Sequence, residues 1–163
     1  MRSNTPRCGK EGNPLNGTVA WIGLRPAKRA EMEIVTSAEI DVAAGLVGDC
    51  HSGGAGHHRQ ITFFQMEHLP VVAALLGREI DPQMTRRNIG VSGINLLSLE
   101  GKAFRIGDAI VRYTEPCLPC GRMDQTMGEG GLAAMRGHGG IMASVVQGGV
   151  ISVGAEVAIC PDA

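Results

Sequence analysis

Short apolar runs, each closed by glycine or proline, limit what this chain can fold into. Its 24 glycines and 8 prolines favour many tight turns between short elements. The longest apolar run, Val71–Leu76, is too short to span a bilayer. Helical patterns are few and do not alternate regularly with the strand patterns. We therefore predict a mainly β fold, a barrel or strongly curved sheet with a few short helices, rather than a βαβ fold.

The strands follow from alternating or continuous apolar residues bounded by turn signals. This pattern predicts strands at Gly17–Leu24, Glu31–Thr36, Ile61–Gln65, Ile89–Gly93 and Ile141–Val146. Two similar strand–turn–strand units, Gly101–Val111 and Gly148–Ala158, are expected in the same sheet. Helical spacing predicts one helix over Leu69–Leu76 and a shorter one ending at Met135, with a further helical start near Arg122.

The domain organisation expected from length is simple. At 163 residues and 17.1 kDa, residues 15–163 suffice for one domain with its own core. Residues 1–14 are polar, lack apolar periodicity and are predicted to form a flexible tail in which Cys8 has no role. Five cysteines in no secreted-scaffold pattern and no apolar leader lead us to expect a reducing cytoplasm, in which Cys117 and Cys120 are thiols rather than a structural disulfide. A net charge of −1 and 3% aromatics argue against nucleic-acid or membrane partners.

The segment Glu115–Asp124 contains the chemistry most specific to this sequence. Cys117 and Cys120 lie three positions apart, each preceded by proline, and Gly121-Arg122 follows the second thiol. The prolines stiffen the loop, and the arginine favours a thiolate. The pair alone is compatible with zinc binding, redox chemistry, packing, or a soft thiolate that carries sulfur or ligates a soft metal.

Two other segments are suited to an anionic ligand. Gly45–Gln60 is rich in glycine, which lets backbone amides approach a ligand, although a mobile surface loop has the same composition. The adjacent Arg86 and Arg87 can hold a phosphate with forked hydrogen bonds, although adjacent arginines also occur at solvated edges. Together these segments predict half of a pocket for an anionic cofactor, with the thiols as the other half.

In order along the chain, the segments resemble the MOSC family, named after the C-terminal domain of molybdenum cofactor sulfurases. The resemblance covers Gly17 to Ile159 and rests on several segments together: Gly48–His51, Arg59–Gln60, Arg86–Ile89, Val91–Leu96, Phe104–Asp108, Pro116–Cys120 and Met135–Gly140. It implies a closed β-barrel of the pyruvate-kinase type and binding of the molybdenum cofactor (molybdopterin), a phosphorylated pyranopterin. Molybdenum ion binding and pyridoxal phosphate binding are expected on the same ground.

The resemblance also implies roles for single residues. Cys120 is the expected catalytic residue, as molybdenum ligand or persulfide carrier. Apart from the resemblance, Glu115 or Asp124 in the same segment is expected to handle protons. The residues expected to bind the cofactor are Asp49, His51, Arg59, Arg86, Arg87, Asn88, Ser92, Cys117, Arg122 and His138. Cys50 occupies a position where a charged residue is expected, so a third thiol either lies near the site or packs.

Three functions follow as expectations. The first is a molybdenum cofactor-binding sulfur carrier, and the second is a molybdenum-dependent reductase of N-hydroxylated bases or amidoximes. The third is a zinc-stabilised or cofactor-free binding module. The chain contains neither an aminotransferase-like sulfurase domain nor the extra N-terminal β domain of amidoxime-reducing relatives. A separate cysteine desulfurase or electron-donor protein is therefore expected as partner.

Overall fold

A computed structural model describes residues 8–10, 15–51 and 53–161 of the chain. Within these ranges the strands are β1 (Gly17–Leu24), β2 (Glu33–Val35), β3 (Ser37–Asp41), β4 (Gly45–Leu46), β5 (Ile61–Gln65), β6 (Ile89–Ser92), β7 (Ala103–Ile106), β8 (Ala109–Pro116), β9 (Ile141–Gln147), β10 (Gly149–Ser152) and β11 (Glu156–Cys160). The α-helices are α1 (His68–Leu76), α2 (Arg122–Met127) and α3 (Gly131–Met135). Short 3₁₀ helices cover Pro82–Thr85 and Leu96–Leu99.

Seven strands close into a barrel in the order β11-β7-β8-β9-β5-β6-β1. The antiparallel pairing of β1 with β11, which sets Gly17 opposite Val157, completes the ring. Strands β5 and β6 pair in parallel, and β2 extends the sheet beyond β1. Strands β10, β3 and β4 form a second, smaller sheet. The predicted closed β-barrel with short helices is thus confirmed.

The barrel interior is filled by apolar side chains from every wall. Phe63 of β5 and Phe104 of β7 meet edge to face with ring centroids 5.4 Å apart, and both are fully buried. Such contacts across the barrel fix the strand register, since a slip by one residue would turn the buried face outward. A second cluster, which includes Val72, Met123 and Met135, packs the three α-helices together beside the barrel. Helices α2 and α3 of this layer follow β8 in the chain, so the layer fixes the position of the segment that links β8 to α2.

The predicted elements occur largely where expected. Strands β1 and β5 have the predicted bounds, and the helix predicted from Leu69 begins one residue earlier. The sequence pattern missed β3, whose sequence SAEID is mostly polar and exposed, and β4, which has only two residues. These strands pair only with β10 and with each other. None of the helices in the described ranges is long and apolar enough to cross a membrane.

One expectation about the cysteines is wrong. Cys8 forms a disulfide with Cys160 at the end of β11, 152 positions away, and the amide of Gly9 donates to Ile159 O at 2.8 Å. Cys8 therefore has a partner that only the folded chain brings near, whereas the prediction that Cys117 and Cys120 are thiols agrees with the structure. The rest of the predicted tail, residues 1–7 and 11–14, lies outside the described residues. Among the described residues, Cys50, Cys117 and Cys120 are free thiols.

Candidate functional site

The strand registers gather three distant segments at one side of the barrel. Antiparallel pairing sets Ile22 of β1 opposite Ile89 of β6, so the residues after β1 lie beside those before β6. Parallel pairing of Phe63 with Ile89 brings the residues before β5 to the same place. The barrel thus assembles Arg25, Arg59 and the Arg86–Asn88 segment, which are far apart in sequence.

Asp49 forms the centre of a buried hydrogen-bond network. Its carboxylate accepts from Arg25 Nε at 3.0 Å, from an Arg25 terminal nitrogen at 2.9 Å and from Asn88 Nδ2 at 2.9 Å, as well as from the Arg25 and His51 amides. Asn88 Oδ1 in turn accepts from Thr62 and Arg25. Burial would raise the pKa of Asp49, but the hydrogen bonds and charge of Arg25 outweigh it and hold that pKa below its usual value. Asp49 and Asn88 therefore orient Arg25.

Arg87 holds the cysteine loop, residues 117–121, against the barrel. Arg87 is 4% exposed, and its guanidinium donates to four backbone carbonyls. The bond from Nε to Gly139 O is 2.7 Å and that from a terminal nitrogen to Cys117 O is 3.2 Å. Burial lowers the pKa of Arg87, and nearby Arg59 and Arg25 act in the same direction, whereas Cys117 and Cys120 oppose them. The charge of Arg87 thus faces the thiols without a carboxylate partner among the described residues.

These segments enclose a cavity of about 190 Å³ that we call the cationic cavity. Seven of the chain's fifteen lysines and arginines line it, although the chain as a whole has a net charge of −1. Its lining comprises Arg25, Lys28, Arg29, His51, Arg59, Arg86, Arg87, Cys120, Arg122 and Met123. A larger open groove of about 670 Å³ is lined by Leu118, Leu132 and Arg136, among others, and no cysteine is among its lining residues.

Asp49 balances the charge of Arg25, but the other six cationic side chains of the cavity have no ion pair with a carboxylate among the residues described. Burial, Arg25 and Arg122 lower the pKa of Arg86, and the buried Nε of Arg59 has no hydrogen-bond partner. A buried, unpaired donor of this kind is destabilising unless a ligand satisfies it. The cavity is thus suited to an anion that accepts hydrogen bonds.

The two thiols of the cysteine loop face different cavities. Cys120 is exposed and lines the cationic cavity. Cys117 is 3% exposed and lines a second cavity of about 150 Å³, together with His68 and Pro116. The fold therefore separates the roles of two residues that the sequence presents as a pair.

Some predicted site residues lie elsewhere. His138 Nδ1 is 3.1 Å from His68 Nδ1, beside the second cavity. Ser92 ends β6 opposite Thr18, about 10 Å along the strand from Ile89. Glu115 pairs with His58 at the surface, and Asp124 accepts the Leu132 amide. The roles of His138 and Ser92 in cofactor binding stay predictions.

Sequence reasoning missed three cationic residues of the cavity, Arg25, Lys28 and Arg29. Arg25 was interpreted only as the end of the first strand, and its importance depends on Asp49, 24 positions away. A signal was present in the sequence, since Arg25-Pro26 is followed closely by Lys28-Arg29. Basic residues after a buried strand indicate an anion site only when the fold brings them next to other basic residues. The sequence alone does not show whether this happens.

Comparison with known proteins shows the family and the fold of this chain. The family model described as MOSC domain matches residues 49–158, which is more than half of the chain. This chain belongs to the MOSC domain family. No match is found among curated proteins. The MOSC fold is shared with solved structures at low identity.

Three of these structures are bacterial. The YuaD protein from Bacillus subtilis is 20% identical with a TM-score of 0.73, over 88% of this chain and 95% of that one. YiiM from Geobacillus stearothermophilus is 18% identical with a TM-score of 0.72, over 88% and 74% of the two chains. YiiM from Escherichia coli is 20% identical with a TM-score of 0.66, over 88% and 67%. At these identities the likeness shows the fold alone.

Proposed function

We propose that this MOSC protein binds the molybdenum cofactor in its cationic cavity and uses Cys120 as metal ligand or as carrier of sulfane sulfur. The observation that carries the proposal is the exposed Cys120 at the wall of a cavity lined by seven cationic side chains. A thiolate is a ligand that soft metals prefer, and arginines suit the phosphate of a pyranopterin. When bound, the cofactor would supply the metal and the anionic phosphate.

The residues fit such a ligand in charge and donor type. Arg59 would direct its unpartnered Nε to an anionic oxygen, and Arg86 and Arg122 would add charge. Arg25 would face the ligand in an orientation fixed by Asp49. The cationic cavity has a volume of about 190 Å³, whereas a typical ligand cleft has a volume of about 300–1,000 Å³. A cofactor that fills such a cleft would therefore extend beyond the cavity, past the exposed Lys28 and Arg29. Arg87 would act indirectly, through its hold on the cysteine loop.

The proposal is tested by co-expressing the chain in cells that make molybdopterin. Molybdenum is measured by elemental analysis, pterin by fluorescence after oxidation, and persulfide on Cys120 by peptide mass spectrometry. We expect Cys120→Ala to lose the metal or the persulfide. Arg59→Gln should weaken binding about tenfold to a hundredfold, since a hydrogen bond to a charged group contributes about 1.5–3 kcal/mol.

The matched control is Arg136→Gln, an exposed arginine outside the cationic cavity, which should bind as wild type does. Equal loss of binding in both arginine variants would mean that only overall charge matters. A wild-type chain that retains neither metal nor pterin would count against the proposal. Pyridoxal phosphate, the other phosphorylated ligand expected from the resemblance, is titrated in parallel.

A reductase of N-hydroxylated bases or amidoximes is the second candidate, because an exposed Cys120 leaves the site open to a small substrate. Turnover with an artificial electron donor distinguishes it from a carrier, which should show none. A cysteine desulfurase or an electron-donor protein would be the respective partner. The zinc alternative has less support, since no group of three His, Cys, Asp or Glu side chains suited to a metal occurs among the residues described.

A further inference from the structure

A second exposed thiol lies beside the cationic cavity. Cys50 Sγ is 2.8 Å from Nδ1 of His51, and His51 lines the cavity together with Cys120. The Cys50 amide donates to Arg25 O at 2.8 Å, which ties the Cys50 backbone to the cavity wall. A negative charge on Cys50 would also raise the pKa of Arg86, another lining residue. Cys50 is therefore held beside three residues of the cavity wall, Arg25, His51 and Arg86.

Cys117, the neighbour of Cys120 in sequence, is poorly placed to react with it. Cys117 is buried at 3% exposure and faces the second cavity, and its carbonyl is held by Arg87. Attack on a sulfur atom requires an accessible thiol. Of the thiols in the described ranges, Cys50 has both the exposure and the neighbouring base.

Delivery of sulfur from a persulfide requires a source of electrons, and a second accessible thiol can be that source. Sulfane sulfur on a cysteine persulfide must gain two electrons before it leaves as hydrosulfide. In a carrier with one thiol, an external thiol would have to reach the persulfide at the moment of transfer. A second thiol at the same cavity can supply them within the chain.

We propose that Cys50 is the resolving thiol for a persulfide on Cys120, with His51 as its base. This inference rests on the proposed sulfur-carrier function. The Cys50 sulfur attacks the inner sulfur of the Cys120 persulfide, and the bond between the inner and outer sulfurs breaks. A Cys50–Cys120 disulfide forms, the outer sulfur leaves as hydrosulfide, and the Cys50 proton passes to His51 Nδ1. Two equivalents of a small-molecule thiol then reduce the disulfide, join to form their own disulfide and restore both cysteines.

The surroundings of His51 favour this role. Burial lowers the pKa of His51 below its usual 6.5, and the charges of Arg25, Arg59 and Arg86 act in the same direction, whereas Asp49 opposes them. The ring is therefore neutral near pH 7 and can accept a proton. The same arginines stabilise the negative charge that develops on sulfur and the hydrosulfide that leaves.

The test uses cofactor-free full-length protein, so that it is independent of molybdopterin binding. The chain is reduced, treated with inorganic polysulfide and desalted. Released sulfide is measured by colour formation, and disulfides and persulfides are mapped by peptide mass spectrometry. Wild type should release about one sulfide per chain and form the Cys50–Cys120 disulfide. Cys50→Ser should keep the persulfide on Cys120 and release sulfide at least about tenfold more slowly.

Histidine variants test the base. His51→Gln should slow sulfide release on the order of tenfold or more. His58→Gln, an exposed residue of the same loop that pairs with Glu115, serves as the matched control and should leave the rate unchanged. In wild type the rate should fall only as the pH drops below 6.5, because protonated His51 cannot accept the Cys50 proton. In the His51→Gln variant, the rate of sulfide release should not show this fall at acid pH.

Three results would overturn the inference: sulfide release by Cys50→Ser at the wild-type rate, a Cys117–Cys120 disulfide in place of the expected one, or no sulfane sulfur on Cys120. Metal and pterin retention is measured separately on the co-expressed chain. A Cys50→Ser protein that binds cofactor but keeps its persulfide supports both proposals. Normal cofactor binding with unchanged sulfide release refutes this inference alone.

Discussion

Replacing Asp49 with asparagine should destabilise the protein strongly, because it leaves Arg25 as an uncompensated buried charge. The Asp49 side chain is 0% exposed and that of Arg25 is 5% exposed. Removing one partner of such a pair costs about 3–5 kcal/mol. A domain has a total stability of about 5–15 kcal/mol, so Asp49→Asn would remove a large share of it.

Denaturant unfolding at pH 7, followed by the fluorescence of the single tryptophan, Trp21 of β1, measures this effect. Glu115→Gln is the control, since the pair of Glu115 with His58 is about half exposed and such pairs contribute about 0–1 kcal/mol. The double variant Arg25→Met with Asp49→Asn should be more stable than Asp49→Asn alone. A cost below about 1 kcal/mol for Asp49→Asn would refute the reasoning.

The Asp49 carboxylate should also make the free energy of unfolding depend on pH in the acid range. The pKa of Asp49 is lower in the folded chain than its ordinary value of 3.8. Its contribution to stability is therefore fully present at pH values above the pKa of Asp49 in the unfolded chain. That contribution is lost as the pH falls through the lower pKa of Asp49 in the folded chain. Unfolding free energies between about pH 5 and pH 2 should fall more steeply for wild type than for Asp49→Asn. Parallel curves would show that Asp49 does not carry the effect.

Two further substitutions test how the cysteine loop is held. Arg87→Lys should cost about 2–4 kcal/mol in denaturant unfolding, because a lysine cannot replace the forked donors to the Gly139 carbonyl and its neighbours; a cost within experimental error would contradict this role. Gly140→Ala should cost more than about 3 kcal/mol, since Gly140 has φ +84° and an added Cβ would overlap the Phe63 carbonyl oxygen. Gly137→Ala, with φ +80° but open space, should cost only about 1–2 kcal/mol, and equal costs at the two glycines would rule out the steric explanation.

Much of the fold was predictable because it depends on local patterns. The bounds of β1 and β5 follow from runs of apolar residues ended by Arg25-Pro26 in one case and by polar residues in the other. The segments containing Asp49, Arg87 and Cys120 were found because their residue types and order resemble one family. These features depend on neighbours in the sequence and need no knowledge of how the strands pair.

The sequence by itself determined a β-rich MOSC chain with a chemically distinctive pair of cysteines and several basic segments. Only the tertiary structure decided that Arg25 joins Asp49, that Cys8 joins Cys160, and that Cys117 and Cys120 face different cavities. Barrel closure sets these relations, since it brings together side chains that are 24 to 152 positions apart. It also turns a chain of net charge −1 into one with a concentrated cationic cavity beside Cys120.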